Sequence, residues 1–187
     1  MSVSVQRRLF SVEAYYKMAE TGILSPDERV ELIGGEIILK SPIKSYHAAV
    51  VSELTTLLTI ALQGKAIVRS QNPVRISPHS EPEPDITVAR LCPDRYRRQH
   101  PVPADVLLLV EVADSSLAFD IKKKLPLYAK ALIPEVWIVN LQAGEISQYS
   151  SPQNGAFTEK RIFRQGEHLD APQFGIRIAL SELLPPQ

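Results

Sequence analysis

The apolar run Val106–Val110 is followed by one acid, Glu111, and then by Val112. The run does not alternate with polar residues, which predicts a strand covered on both faces. Upstream, Val50, Leu54, Leu57, Leu58 and Ala61 recur at helical spacing and predict a helix over His47–Gln63 that Gly64 can end. A first helix is predicted from an N-cap at Ser11 to just before Gly22. Arg29–Ile33 and Glu36–Leu39 flank Gly34-Gly35, a dipeptide that readily takes positive φ, and so predict a hairpin. Short strands are predicted at Ala66–Ser70, Val74–Ile76 and Val136–Val139, and at Asp85–Ala89 directly after Pro84. A further helix is predicted over Asp120–Leu132, with Ile121, Leu125, Tyr128, Ala129 and Leu132 as its apolar face. Glu145–Tyr149 and Phe157–Phe163 predict a terminal antiparallel extension, while Ser77–Pro84 and Cys92–Pro103 read as surface loops. The element order predicts a mixed α/β fold with a sheet core.

Composition narrows the picture. A chain of 187 residues with 44% apolar content suits a single domain over residues 1–187. Lys+Arg and Asp+Glu both total 21. That balance argues against a protein that coats nucleic acid, and leaves room only for a local basic cleft. Cys92 is the single cysteine. An intrachain disulfide is thus excluded, and a reducing cytoplasm is the expected compartment. The amino-terminal segment MSVSVQRRLFSVEAYYK lacks a secretory apolar core. No apolar run approaches the ~20 residues that span a bilayer, so no membrane association is expected.

One acid stands where the pattern asks for an apolar residue, and a second opens another strand. An ionised Glu111 at the end of a buried strand costs several kcal/mol unless it is paired, hydrogen-bonded or bound to metal; the plainer alternative is a strand end already in solvent. Asp85 opens its strand after Pro84, where it is either a strand-capping aspartate or the second member of a carboxylate pair. Two carboxylates at the ends of neighbouring strands can share a hard cation such as Mg²⁺. Such an ion generates hydroxide and neutralises charge on a phosphodiester. A cation near the attacking water helps that hydrolysis. Two residues after Glu111, on the same strand face, stands Ala113 rather than a lysine. Helical spacing puts Lys122 and Lys124 at the boundary of the predicted helix and leaves the choice between them open. The alternative is a solvated face with Asp120 and Lys124 as an i,i+4 pair.

At this point the residues resemble a known family. VELIGGEII at 30–38, the helix start at His47, EPDITVAR at 83–90, LLLVEVADSS at 107–116 and KLPLYAKALIPEVWIVN at 124–140 resemble, in order, the Uma2 family. That family, abundant in cyanobacteria, belongs to the PD-(D/E)XK restriction-endonuclease-like superfamily. The resemblance implies a mixed sheet flanked by helices and a Mg²⁺ (or Mn²⁺) site. In it, Asp85 takes the place of the motif aspartate and Glu111 that of the following glutamate, and the backbone carbonyl of Val112 completes the metal set. It also implies that Lys124, rather than Lys122, supplies the lysine missing at Ala113. Glu31 matches within the ELIGGE hairpin, either facing the same cleft or exposed on its strand. His47 matches as a proton shuttle, a phosphate contact or a plain helix-start residue. The implied activity is Mg²⁺-dependent endonuclease hydrolysis of DNA, with Arg90, Arg95, Arg97 and Arg98 as the candidate phosphate-binding loop. The alternative is a catalytically silent nuclease fold kept as a binding or regulatory module. A homodimer is expected, since the strand pair over Glu145–Phe163 offers an edge and double-strand cleavage is easiest with two sites.

Overall fold

The computed structural model of the chain describes residues 7–184, so Met1–Gln6 of the amino-terminal segment and the last three residues lie outside it. Helix α1 (Val12–Glu20) begins at Ser11, whose Oγ accepts from the Ala14 amide at 3.2 Å, as an N-cap should. Strands β1 (Val30–Ile33) and β2 (Glu36–Leu39) form the expected hairpin. Its turn is carried by Gly34 and Gly35 at φ +59° and +79°. A Cβ on Gly35 would lie 2.6 Å from Leu9 Cβ, so the segment before α1 packs against a position that only glycine fills. Helix α2 (Ser45–Ala61) buries Val50, Val51, Leu54 and Leu58.

The main sheet has the strand order β3 (Ala66–Ser70), β4 (Ile86–Arg90), β5 (Val106–Ala113), β6 (Glu135–Asn140), β7 (Glu145–Gln153) and β8 (Ala156–Phe163). All neighbours pair antiparallel except β5 and β6, which run parallel. A parallel pair requires a crossover. Here it consists of α3 (Leu117–Phe119), a π-helical turn at Asp120–Lys124 and α4 (Leu125–Lys130). Two apolar cores cover the two sheet faces. Val88, Leu108, Val110 and Val112 pack under α2, while Leu109, Ala113, Val136 and Ile138 pack toward Tyr128 of α4. Strand alternation therefore puts Glu111 on the α4 side.

Three sequence expectations need correction. Val74–Ile76 is not a strand. The Val74 and Ile76 amides donate to the carbonyls of Pro82 and Ser80 at 3.0 Å each, so this segment folds back on the loop that follows it. The crossover helix starts at Leu117 and ends at Lys130, not over Asp120–Leu132. Its apolar face also differs from the expected one, because Ile121 and Leu132 are exposed at 39% and 66% while Asp120 and Lys124 are buried. The cause is the π turn: the Leu125 amide donates to the Asp120 carbonyl, five residues back. Pro126 has no N–H to offer the carbonyl four residues before it, so the regular ladder is already broken there. The wider turn rotates Asp120 and Lys124 inward.

The stretch after Phe163 carried no sequence expectation. It forms β9 (His168–Ala171) and β10 (Ile176–Ala179), an antiparallel pair, and α5 (Leu180–Leu183). Leu169, Ala171, Ile176, Leu180 and Leu183 complete the core beneath α2. Among the described residues, no helix is long and apolar enough to cross a membrane.

Candidate active site

The β4–β5 register pairs Ile86 with Val110. The next positions outward are Asp85 and Glu111, so the two acids meet where the strands end. The Val112 amide donates to Asp85 Oδ2 at 2.8 Å and fixes that carboxylate. Gln71 Nε2 donates to Asp85 Oδ1 at 3.3 Å, and His47 Nε2, from the first turn of α2, lies 3.4 Å from Oδ2. The Val112 carbonyl faces the same imidazole and, after Asp85, helps to favour its charged form.

Glu111 is met from α4. Lys124 Nζ donates to both its carboxylate oxygens at 3.2 Å, and the buried Tyr128 hydroxyl donates to Oε1 at 2.6 Å. Lys124 also lies 3.1 Å from Glu31 Oε2, which reaches in from β1 and accepts the Glu83 amide at 3.0 Å. Asp120, one helical turn before Lys124, accepts from Ser116 Oγ at 2.6 Å. Except for Tyr128, which is fully buried, these groups line one cleft of ≈450 Å³, whose rim carries Arg29, Lys40 and Lys44. Lys40 is paired with Glu83 at 3.3 Å and Lys44 with Asp114 at 2.6 Å.

Charge in the cleft is unbalanced. Glu31, Asp85, Glu111 and Asp120 are all buried, against the single buried cation Lys124 and the imidazole of His47. Burial pushes the Glu111 carboxyl up to about 8; Lys124 opposes the rise, and Asp120, Asp85 and Glu31 add to it. Burial likewise raises Asp120. Burial works against the charge on Lys124, but Glu111, Glu31 and Asp120 outweigh it and keep the ammonium protonated. Asp85 ends below the usual range: burial would raise it, and the hydrogen bond and charge of His47 prevail. The same bond raises His47. The cleft thus holds one stably ionised carboxylate beside one that burial biases toward its protonated form.

All five expected side chains converge: Glu31 faces the cleft rather than solvent, Lys124 is buried in it rather than on a solvated face, and His47 lies against Asp85. Lys122 does not line the cleft. Arg90, Arg95, Arg97 and Arg98 do not line it either. Asp85 precedes β4 and Arg90 ends it, so the arginine loop leaves from the opposite end of the strand, about 17 Å away at strand rise. No sequence signal places Tyr128, Gln71 or Ser116 at the site, and Asp120 is expected there only as a solvated partner of Lys124. Periodicity puts Tyr128 on the apolar face of the predicted helix, although it stands one turn after Lys124 on a helix that turns inward. Gln71 carried no periodic signal at all.

The donor set suits a hard cation. Among the described residues no three His, Cys, Asp or Glu side chains stand close enough to enclose a metal by themselves. Asp85, Glu111 and the Val112 carbonyl would therefore need oxygens from water or substrate to complete a coordination shell. Mg²⁺ is ordinarily bound that way, through one or two carboxylates. The surplus of buried carboxylates supplies the electrostatic reason for a cation to enter.

A six-stranded mixed sheet flanked by helices, with a helical crossover between β5 and β6, is a nuclease-type fold. It is shared with a solved structure titled as "a putative nuclease belonging to DUF820" from Anabaena variabilis ATCC 29413, at TM-score 0.74 and 17% identity, covering 94% of this chain and 97% of that one. The family model of Uma2, described as "Putative restriction endonuclease", matches residues 12–181. The chain belongs to the Uma2 family, and its fold is restriction-endonuclease-like. No curated protein matches it.

Proposed function

We propose that the protein is a divalent-metal-dependent endonuclease that hydrolyses DNA phosphodiester bonds, and that residues 1–187 act as one catalytic domain. The observation that carries this reading is the Lys124–Glu111 contact at 3.2 Å, with Asp85 held beside it by the Val112 amide. It supplies, from the crossover helix, the cation that Ala113 does not.

In this reading Asp85, Glu111 and the carbonyl of Val112 hold a Mg²⁺ or Mn²⁺ ion. Such an ion would supply Lewis-acid charge and a more acidic bound water. Lys124 Nζ orients the attacking water and offsets charge developing on the phosphoryl oxygens. Tyr128 fixes the rotamer of Glu111 through its 2.6 Å bond. Glu31 holds Lys124 from the other side and accepts a water proton. His47, kept basic by Asp85, is the proton donor to the departing oxygen. Arg29, Lys40 and Lys44 at the cleft rim meet the flanking phosphates. A second copy along the exposed edge strand β8 would bring a second cleft for the opposite DNA strand.

Calorimetric titration with Mn²⁺ tests the site. Binding that Asp85→Asn removes is the expected result. A wild-type protein that takes up no metal would instead favour a silent nuclease fold acting as a binding module.

A further inference from the structure

We propose that a second cavity, between α1 and the arginine-bearing loop after β4, is an anion site that takes the phosphate group of a nucleotide. It measures ≈460 Å³ and is lined by Tyr16, Arg75, Tyr96, Arg97, Arg98 and His100, none of which lines the acidic cleft. Three guanidinium groups thus face one cavity in a chain of zero net charge. Guanidinium is the side-chain group that best matches phosphate, through paired N–H donors in a rigid fork.

The cavity wall is built rather than incidental. Arg75 Nε donates to Glu81 Oε2 at 2.7 Å, and its guanidinium lies over the Tyr16 ring at 6.0 Å. The Tyr16 hydroxyl donates to the other oxygen of Glu81 at 2.5 Å. Arg75 Nη1 reaches Glu13 only at 3.5 Å, and Nη2 makes no hydrogen bond among the described residues. On the facing wall, Arg95 and Tyr96 both adopt left-handed backbone, at φ +53° and +58°. Two successive non-glycine residues in that region are strained, and such strain gathers at ligand clamps. Surrounding contacts hold it in place: the Tyr96 hydroxyl donates to the Arg90 carbonyl at 2.8 Å, its amide donates to Asp94 Oδ1 at 3.2 Å, and Arg69 covers its ring at 5.7 Å. The strained turn presents Arg97 and Arg98 to the cavity. Neither makes a side-chain hydrogen bond or ion pair among the described residues, although Arg98 feels the charge of Asp94. The volume lies within the range of small-molecule sites, large enough to hold more than a phosphate group, and the half-buried Tyr16 offers ring surface to an adjoining sugar or base.

The nucleotide has two sources, a free mononucleotide or a DNA strand that also crosses the cleft. Glu81, which orients Arg75, is separated from Asp85 by at most about 14 Å of chain, so one strand can reach both. The test uses thymidine 5′-monophosphate and a short DNA duplex as probes, with the full chain, its Asp85→Asn variant and the exposed double variant Arg97→Ala/Arg98→Ala. Asp85→Asn is expected to bind the mononucleotide as the wild type does, which separates this site from the cleft. The double variant is expected to weaken binding by at least about tenfold. A loss that extends to the duplex, with a salt dependence reduced by about two counterions, assigns the site to the strand. A loss confined to the mononucleotide assigns it to the free ligand. A double variant that binds both probes with wild-type affinity, or a wild-type protein that binds neither, overturns the proposal.

Discussion

Replacing Lys124 by methionine keeps the length of the side chain and removes its charge from the middle of the acidic cleft. The ammonium lies 3.1 Å from Glu31 and 3.2 Å from both oxygens of Glu111, and all three residues are buried. Removing one partner of a buried ionic network costs about 3–5 kcal/mol, because the remaining charges stay desolvated. With a urea slope of about 2 kcal/mol per molar, the unfolding midpoint falls by about 2 M. The acids can escape part of this cost by taking up protons, which makes the penalty depend on pH. Their folded pKa values, already raised for Glu111 and Asp120, rise further once Lys124 is gone. An acid raised in the folded state contributes stability that is lost as pH rises through its folded pKa. The wild-type Glu111 carboxyl keeps its proton up to about 8, so the penalty of Lys124→Met is smaller near pH 7 and larger near pH 9. Urea denaturation followed by circular dichroism at those two values reads it directly. A variant as stable as the wild type at the higher pH, or one whose penalty grows in acid, would refute the buried network.

Glu111→Gln should flatten the pH dependence of the metal-free protein. The wild-type carboxyl sits near 8 against an ordinary value of 4.5, so thermal stability should fall between those two points in the wild type and less in the variant. Tyr128→Phe removes the 2.6 Å donor to Glu111 and should cost about 1–3 kcal/mol of stability, with nicking activity reduced while circular dichroism shows a folded protein. Gly35→Ala forces a Cβ to within 2.6 Å of Leu9 Cβ at φ +79° and should lower stability by more than about 1 kcal/mol. An unchanged melting temperature in Gly35→Ala would show that the segment before α1 does not pack there.

Much of this architecture is legible in the chain because the signals are local. The unbroken apolar run before Glu111 requires a central strand, and the Gly34-Gly35 turn requires a hairpin. Glu111 is legible for the same reason, because it interrupts a pattern that otherwise demands apolar residues, whereas Asp85 only opens its strand after Pro84 and gains its weight from Glu111 and from the family pattern. The crossover is different. Periodicity at 100° per residue assumes a regular helix, and a π turn breaks that assumption at Asp120–Lys124. Ile121 therefore reads as core and is exposed, and Asp120 reads as solvated and is buried. The resemblance to Uma2 located Lys124 where periodicity left it open with Lys122. Gln71 and Ser116 were invisible because their roles depend on partners far along the chain or on one loop's shape. The segment over β9, β10 and α5 does carry alternating apolar residues, at Leu169 and Ala171 and again at Ile176 and Ile178, but strands this short give a weak signal. The arginine loop is legible as a charge cluster after β4, but its place is not: it leaves from the end of that strand away from Asp85, and Arg97 and Arg98 line a different cavity.

The most direct test of the proposed activity is nicking of supercoiled plasmid DNA by the purified full chain in Mg²⁺ or Mn²⁺, compared with chelator and with Asp85→Asn. Relaxed and linear products that require the metal and disappear in Asp85→Asn are the predicted result. Plasmid left intact by the wild type in both metals, or cleavage that survives both chelator and Asp85→Asn, would contradict it.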